Sequence, residues 1–149
     1  MKEHPYYTDG AYERLMTEYL KYDTLYIAFD FDNTIWDYDT YKDKYEDNPD
    51  AVHWNIVELL KGAKKAGMKL ILWTSCPNED IEQLKADLCD KWGISPDYIN
   101  WSPLSPGATK PHFNLLLDDR AGLESSVSAL SKLLLIIGAF CYMNTKEAN

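Results

Sequence analysis

Apolar residues recur along this chain with two different periods, and the alternation between them lays out the fold. Tyr12, Leu15, Met16, Tyr19 and Leu20 fall three and four positions apart, so Thr8 to Lys21 reads as an amphipathic helix with Thr8 or Asp9 as its N-cap. The continuous run Leu25-Tyr26-Ile27-Ala28-Phe29 has the length and bulk of a buried strand that ends at Asp30. After Thr34 the pattern lapses: residues 37 to 50 are polar and aromatic without periodicity and read as a loop or flap. From Ala51 to Ala66 a helical stripe returns through Val52, Ile56, Leu59, Leu60 and Ala63, with Asp50 as N-cap and Gly67 as stop. Met68 to Trp73 is a second strand. A helix follows from about Asn78 to Trp92, with Ile81, Leu84 and Leu88 inward and Gly93 at its end. Short strands are expected at Tyr98 to Trp101 and Phe113 to Leu117, separated by a loop rich in Pro, Gly and Ser. Val127, Leu130, Leu134 and Ile137 space a last helix from Leu123 to about Ile137, and 144–149 is expected to fray.

Strands alternating with helices imply βαβ crossovers and a largely parallel sheet. The expected class is therefore α/β: a three-layer sandwich around a mostly parallel central sheet. One domain accounts for 1–149, with 1–24 as helix and lead-in and 25–138 as core.

Composition narrows the function classes. A net charge of −9 disfavours broad capture of nucleic acid or anionic membrane, which both require clustered Lys and Arg. The 13% aromatic content argues for a packed core. Cys76, Cys89 and Cys141 form an odd set with no CxxC pair, which suggests neither a zinc site nor a disulfide framework. The first residues lack the pattern of a signal peptide, and no apolar run approaches the ~20 residues that span a bilayer. A cytoplasmic protein without membrane attachment is expected.

Three of the expected strands end in polar groups of complementary kind: Asp30 and Asp32, then Thr74 and Ser75, then Asp118 and Asp119. Parallel strands carry their C-terminal ends to one rim, where open α/β sheets bind ligands. Lys110, in the loop before the last strand, would join them. Carboxylates crowded in one pocket repel unless a cation neutralises them, and Mg²⁺ is held by one or two carboxylates beside a phosphate. A hydroxyl and an ammonium there would bind phosphoryl oxygens. One carboxylate could attack phosphorus in line while a second moves the proton.

These residues resemble the four motifs of the haloacid dehalogenase (HAD) superfamily of phosphohydrolases. Asp30-Phe31-Asp32-Asn33-Thr34 matches the first, Leu70-Ile71-Leu72-Trp73-Thr74 the second, Lys110 the third and Leu116-Leu117-Asp118-Asp119 the fourth. The resemblance implies an HAD-like (Rossmannoid) fold, with Asp30 as nucleophile and Asp32 as general acid/base. It further implies phosphate held by Thr74 or Ser75 and by Lys110, and Mg²⁺ held by Asp30, the Asp32 carbonyl, Asp118 and Asp119. The short stretches between motifs resemble capless members. Asn33 stands where many members have Gly.

The expected activity is Mg²⁺-dependent hydrolysis of a phosphomonoester through an aspartyl-phosphate on Asp30, acting on a phosphorylated small molecule. The alternatives are a nucleotide or nucleic-acid-end phosphatase, and a phospho-accepting or metal-binding regulatory module without turnover, similar to receiver domains. A capless pocket could be closed by a homodimer partner. Trp36, Tyr38, Tyr41 and Tyr45 could form a flap that stacks on substrate or could pack into the core, and His112, Cys76 and Arg120 are expected to be incidental.

Overall fold

Among the described residues four strands, β1 (Tyr26–Phe29), β2 (Lys69–Leu72), β3 (Tyr98–Ile99) and β4 (Leu115–Leu117), lie in the order β3-β2-β1-β4, every neighbouring pair parallel. The computed structural model describes residues 10–42, 44–45, 48–107 and 112–147, from 139 onward by backbone alone. Thr8, Asp9 and Lys110 lie outside the described residues.

The helices are α1 (Gly10–Tyr22), α2 (Tyr38–Tyr41), α3 (Trp54–Lys65), α4 (Glu79–Lys91) and α5 (Leu123–Glu147), with a 3₁₀ turn at Pro49–Ala51. Alternate strand residues Ile27, Phe29, Leu70, Leu72, Leu115 and Leu117 share one apolar cluster with Leu15 of α1, Leu60 of α3 and Leu130 of α5. Ala28 and Ile71 point the other way and are equally buried. Both faces of the two central strands are therefore covered, which explains why β1 and β2 read as apolar runs rather than alternating ones. The protein is α/β, with a parallel sheet flanked by helices. Among the described residues no helix is long and apolar enough to cross a membrane.

Because β2 lies on one side of β1 and β4 on the other, the chain reverses its winding direction at β1. The crevice between β1 and β4, at their C-terminal ends, is the switch point where such sheets bind ligands.

Four expectations are corrected. Asp50 does not cap α3; it sits in the 3₁₀ turn, where Asn48 accepts a hydrogen bond from its N–H, and His53 takes the cap position. Leu84 is outward and Lys85 inward on α4, because an ion pair outweighs the apolar pattern there. The 37–50 stretch is not all loop but contains α2 and the 3₁₀ turn; of the two readings of the nearby aromatics, packing into the core is the one seen, with Trp36 fully buried, Tyr45 nearly so, and Tyr38 and Tyr41 packed against them. Finally, α5 runs through Glu147, so 144–147 is helix rather than frayed tail. Other boundaries fall close to expectation: Asn78 caps α4 by accepting from Ile81 N–H, and Gly67 and Gly93, both at positive φ, end α3 and α4.

Candidate active site

The turn that follows β1 is built on Phe31. Its carbonyl oxygen accepts from the N–H groups of Thr34, Ile35 and Trp36. Closing so tight a loop forces Asn33 to a φ of 59°, the left-handed conformation that Asn tolerates better than most side chains. The Asn33 carboxamide is bound to Asp39, and His53 Nδ1 lies 2.9 Å from the Thr34 carbonyl. Asp30 and Asp32 thus leave the strand on a backbone pinned from two sides.

Asp30 N–H donates to the Leu117 carbonyl of the adjacent strand at 2.9 Å, which brings Asp118 alongside. One carboxylate oxygen from each of Asp30, Asp118 and Asp119 lies within 4.8 Å of the others. Thr34 links the two strand ends: its buried Oγ1 accepts from Asp119 N–H at 3.1 Å and faces Asp119 Oδ1 at 3.5 Å. The acids strain one another electrically. Burial raises Asp30 from 3.8 to about 6, against a lowering bond from Phe31 N–H and with further upward push from Asp118, Asp119 and Asp32. Asp119 is also raised, by burial and then Asp118, and Arg120 only partly offsets this. An all-oxygen donor set that resists carrying its own charge fits a hard divalent cation.

The Asp32 carboxylate is not one of that trio and is held by two other side chains. Its Oδ2 accepts from Lys85 Nζ at 3.0 Å and its Oδ1 from the Tyr45 hydroxyl at 2.8 Å. Lys85, 1% exposed, also donates to Thr74 Oγ1 at 2.9 Å and to the Ser75 carbonyl at 3.2 Å. Three acceptors match the three protons of an ammonium, the condition under which a buried lysine is tolerated. Its flanks are aromatic, with the Phe31 and Tyr45 ring centroids each 5.5 Å from Nζ. Burial and the bond to Asp32 push the Tyr45 hydroxyl upward, so it remains a donor.

Thr74 is held in place by Asn100 at the end of β3. The Asn100 side chain accepts from Thr74 N–H and donates to the Thr74 carbonyl, both at 2.9 Å. Thr74 faces inward to Lys85, whereas Ser75 is exposed.

Six of the seven sequence-selected residues therefore cluster at one rim: Asp30, Asp118 and Asp119 as a trio, and Asp32, Thr74 and Ser75 around Lys85. Lys85 and Asn100 were missed, and Tyr45 was read only as a flap or core aromatic. Lys85 carried a signal, since it lies four residues from both Ile81 and Cys89 on the buried stripe of α4, where a lysine requires an anionic partner. Asn100 carried none, because its role depends on which strand ends meet, and nothing in the sequence showed the bond of the Tyr45 hydroxyl to Asp32. The described residues also line a cavity of about 810 Å³ that includes Arg14, Tyr22, Tyr26 and Asn114. It opens at the N-terminal ends of β1 and β4, at the far side of the sheet from the acids. Burial raises Cys76, which argues against a reactive thiolate.

No family model matches the chain. No curated protein matches it. A solved structure described as that of the conserved protein coded by a locus from Bacteroides thetaiotaomicron is similar, at 24% identity and a TM-score of 0.50, over 65% of this chain and 77% of that one. That likeness bears on the fold alone.

Proposed function

We propose that the protein is a Mg²⁺-dependent phosphomonoester hydrolase of HAD type that works through an aspartyl-phosphate on Asp30. The observation that carries this reading is the meeting of Asp30, Asp118 and Asp119 within 4.8 Å at the ends of adjacent strands, with Asp32 held nearby by a buried lysine. Asp30, Asp118, Asp119 and the Asp32 carbonyl would hold Mg²⁺, which supplies positive charge for the phosphoryl oxygens and keeps Asp30 ionised.

Asp30 then attacks phosphorus in line, forming the acyl phosphate on Asp30 as the bond to the leaving oxygen breaks. Asp32 gives a proton to that oxygen. In the second half-reaction Asp32 takes a proton from water, whose oxygen displaces Asp30 and releases phosphate. Thr74 offers a hydroxyl and nearby N–H groups to phosphate. Lys85 sets a fixed positive charge behind them, the part that sequence resemblance gave to Lys110, which lies outside the described residues. The substrate class this favours is a phosphorylated small molecule.

The test is release of p-nitrophenol from p-nitrophenyl phosphate with and without Mg²⁺. Turnover that requires Mg²⁺ and is abolished in Asp30→Asn supports the reading, and an unimpaired Asp30→Asn variant refutes it.

A further inference from the structure

Among the described residues the hydroxyl of Tyr45 has one bond, and it goes to Asp32. The ring is wedged in the aromatic cluster, edge-on to Phe31 at 5.7 Å and tilted against Trp36 at 5.8 Å. Phenylalanine would fill that space equally well. What the oxygen adds is a second tether on a carboxylate whose other oxygen is already bound to Lys85. With each oxygen tied to a different element, one to α4 and one to the segment after α2, the carboxylate plane has a single orientation. Among the described residues the same cluster leaves the buried Trp36 indole N–H without a partner, so satisfying every polar group is not what shaped it.

We infer that Tyr45 is a positioning residue for Asp32, holding its carboxylate in the orientation from which it takes the proton of the attacking water. The inference rests on the phosphatase reading and assigns that reading a residue outside the four motifs. Its chemistry makes a selective prediction. When the leaving group is p-nitrophenolate, it departs as a stable anion and formation of the Asp30 acyl phosphate needs no proton from Asp32. Hydrolysis of the acyl phosphate still needs Asp32, now as base: water gives its proton to Asp32, its oxygen bonds to phosphorus, and the bond from phosphorus to Asp30 breaks. Loss of the Tyr45 tether then slows the second half-reaction alone.

The experiment compares wild type with Tyr45→Phe on p-nitrophenyl phosphate in Mg²⁺, measuring kcat, kcat/KM and acid-quenched phosphoenzyme. The expected result is a fall of about tenfold in kcat, with KM falling in parallel, kcat/KM unchanged within about twofold, and phosphoenzyme accumulating on Asp30. Packing damage would instead lower kcat/KM with no accumulation, and that result, or no change in any quantity, overturns the inference. A second comparison places Tyr45→Phe in an Asp32→Asn background. If Tyr45 acts through Asp32 it has no further effect there, whereas an equal additional loss overturns the inference. Wild-type protein that neither releases nitrophenol nor labels Asp30 removes the phosphatase reading itself, an outcome distinct from either failure of Tyr45.

Discussion

Lys85 and Asp32 lie 53 positions apart in the chain and meet at 3.0 Å, the ammonium almost fully enclosed and the carboxylate partly open to solvent. Removing one partner of such a pair leaves the other charge in poor surroundings, which typically costs 3–5 kcal/mol when both are buried. Solvent reaching Asp32 reduces this. Lys85→Met is expected to lose about 2–4 kcal/mol in urea unfolding. In Asp32→Asn protein the same substitution is expected to cost markedly less, and equal losses in both backgrounds would show that the pair is not coupled.

The Asp30 carboxyl makes stability depend on pH in a defined window. Its value rises from 3.8 to about 6 on folding, so between those values the folded protein retains a proton that the unfolded chain has shed. Its contribution is fully present below about pH 4 and is lost as pH climbs through 6. In metal-free protein, Asp30→Asn is therefore expected to match wild type near pH 4 and exceed it by about 1–2 kcal/mol above pH 6, after allowing for solvent screening. Denaturant midpoints of both proteins across pH 4 to 7 test the sign, and a gap that narrows with rising pH contradicts it.

Mg²⁺ is expected to raise the thermal midpoint, since a ligand bound only by the native state stabilises by about 2.7 kcal/mol at one hundred times its Kd. The gain should be larger at pH 7 than at pH 5, where the Asp30 proton competes with the cation. Asp118→Asn should lose most of it. Scanning calorimetry with Mg²⁺ and after chelation makes the comparison.

Thr34 ties the end of β1 to the end of β4 through one buried oxygen. Thr34→Val keeps the shape but leaves Asp119 N–H without its acceptor, at an expected cost of about 1–2 kcal/mol. Because Asp119 would also lose its anchor, Mg²⁺ affinity measured by calorimetric titration is expected to fall. Unchanged affinity would mean that Thr34 serves stability alone.

Each of these contacts sat differently in the sequence. The β1 run and its terminal acids were legible because a strand buried on both faces must be apolar until it stops, and the positive φ of Gly67 and Gly93 bore out their reading as helix ends. Asp118 could be paired with Asp30 from topology alone. Lys85 was harder: α4 turns it inward in preference to Leu84, a choice made by the charge on Asp32, and periodicity counts only apolar residues. The same limit hid the bond of Tyr45 to Asp32: the residue lies in a stretch without period and was legible only as an aromatic for the flap or the core, into which Phe31 and Trp36 draw its ring. Asn100 clasps a peptide 26 residues earlier, and no local pattern encodes that.

The strand order β3-β2-β1-β4 places the last strand made against the first. During synthesis, β1 must wait with one edge unpaired until residues 115–117 emerge, a template open to other chains in the meantime. The trio of acids cannot exist before that edge is closed, so any cation held there would report a completed sheet.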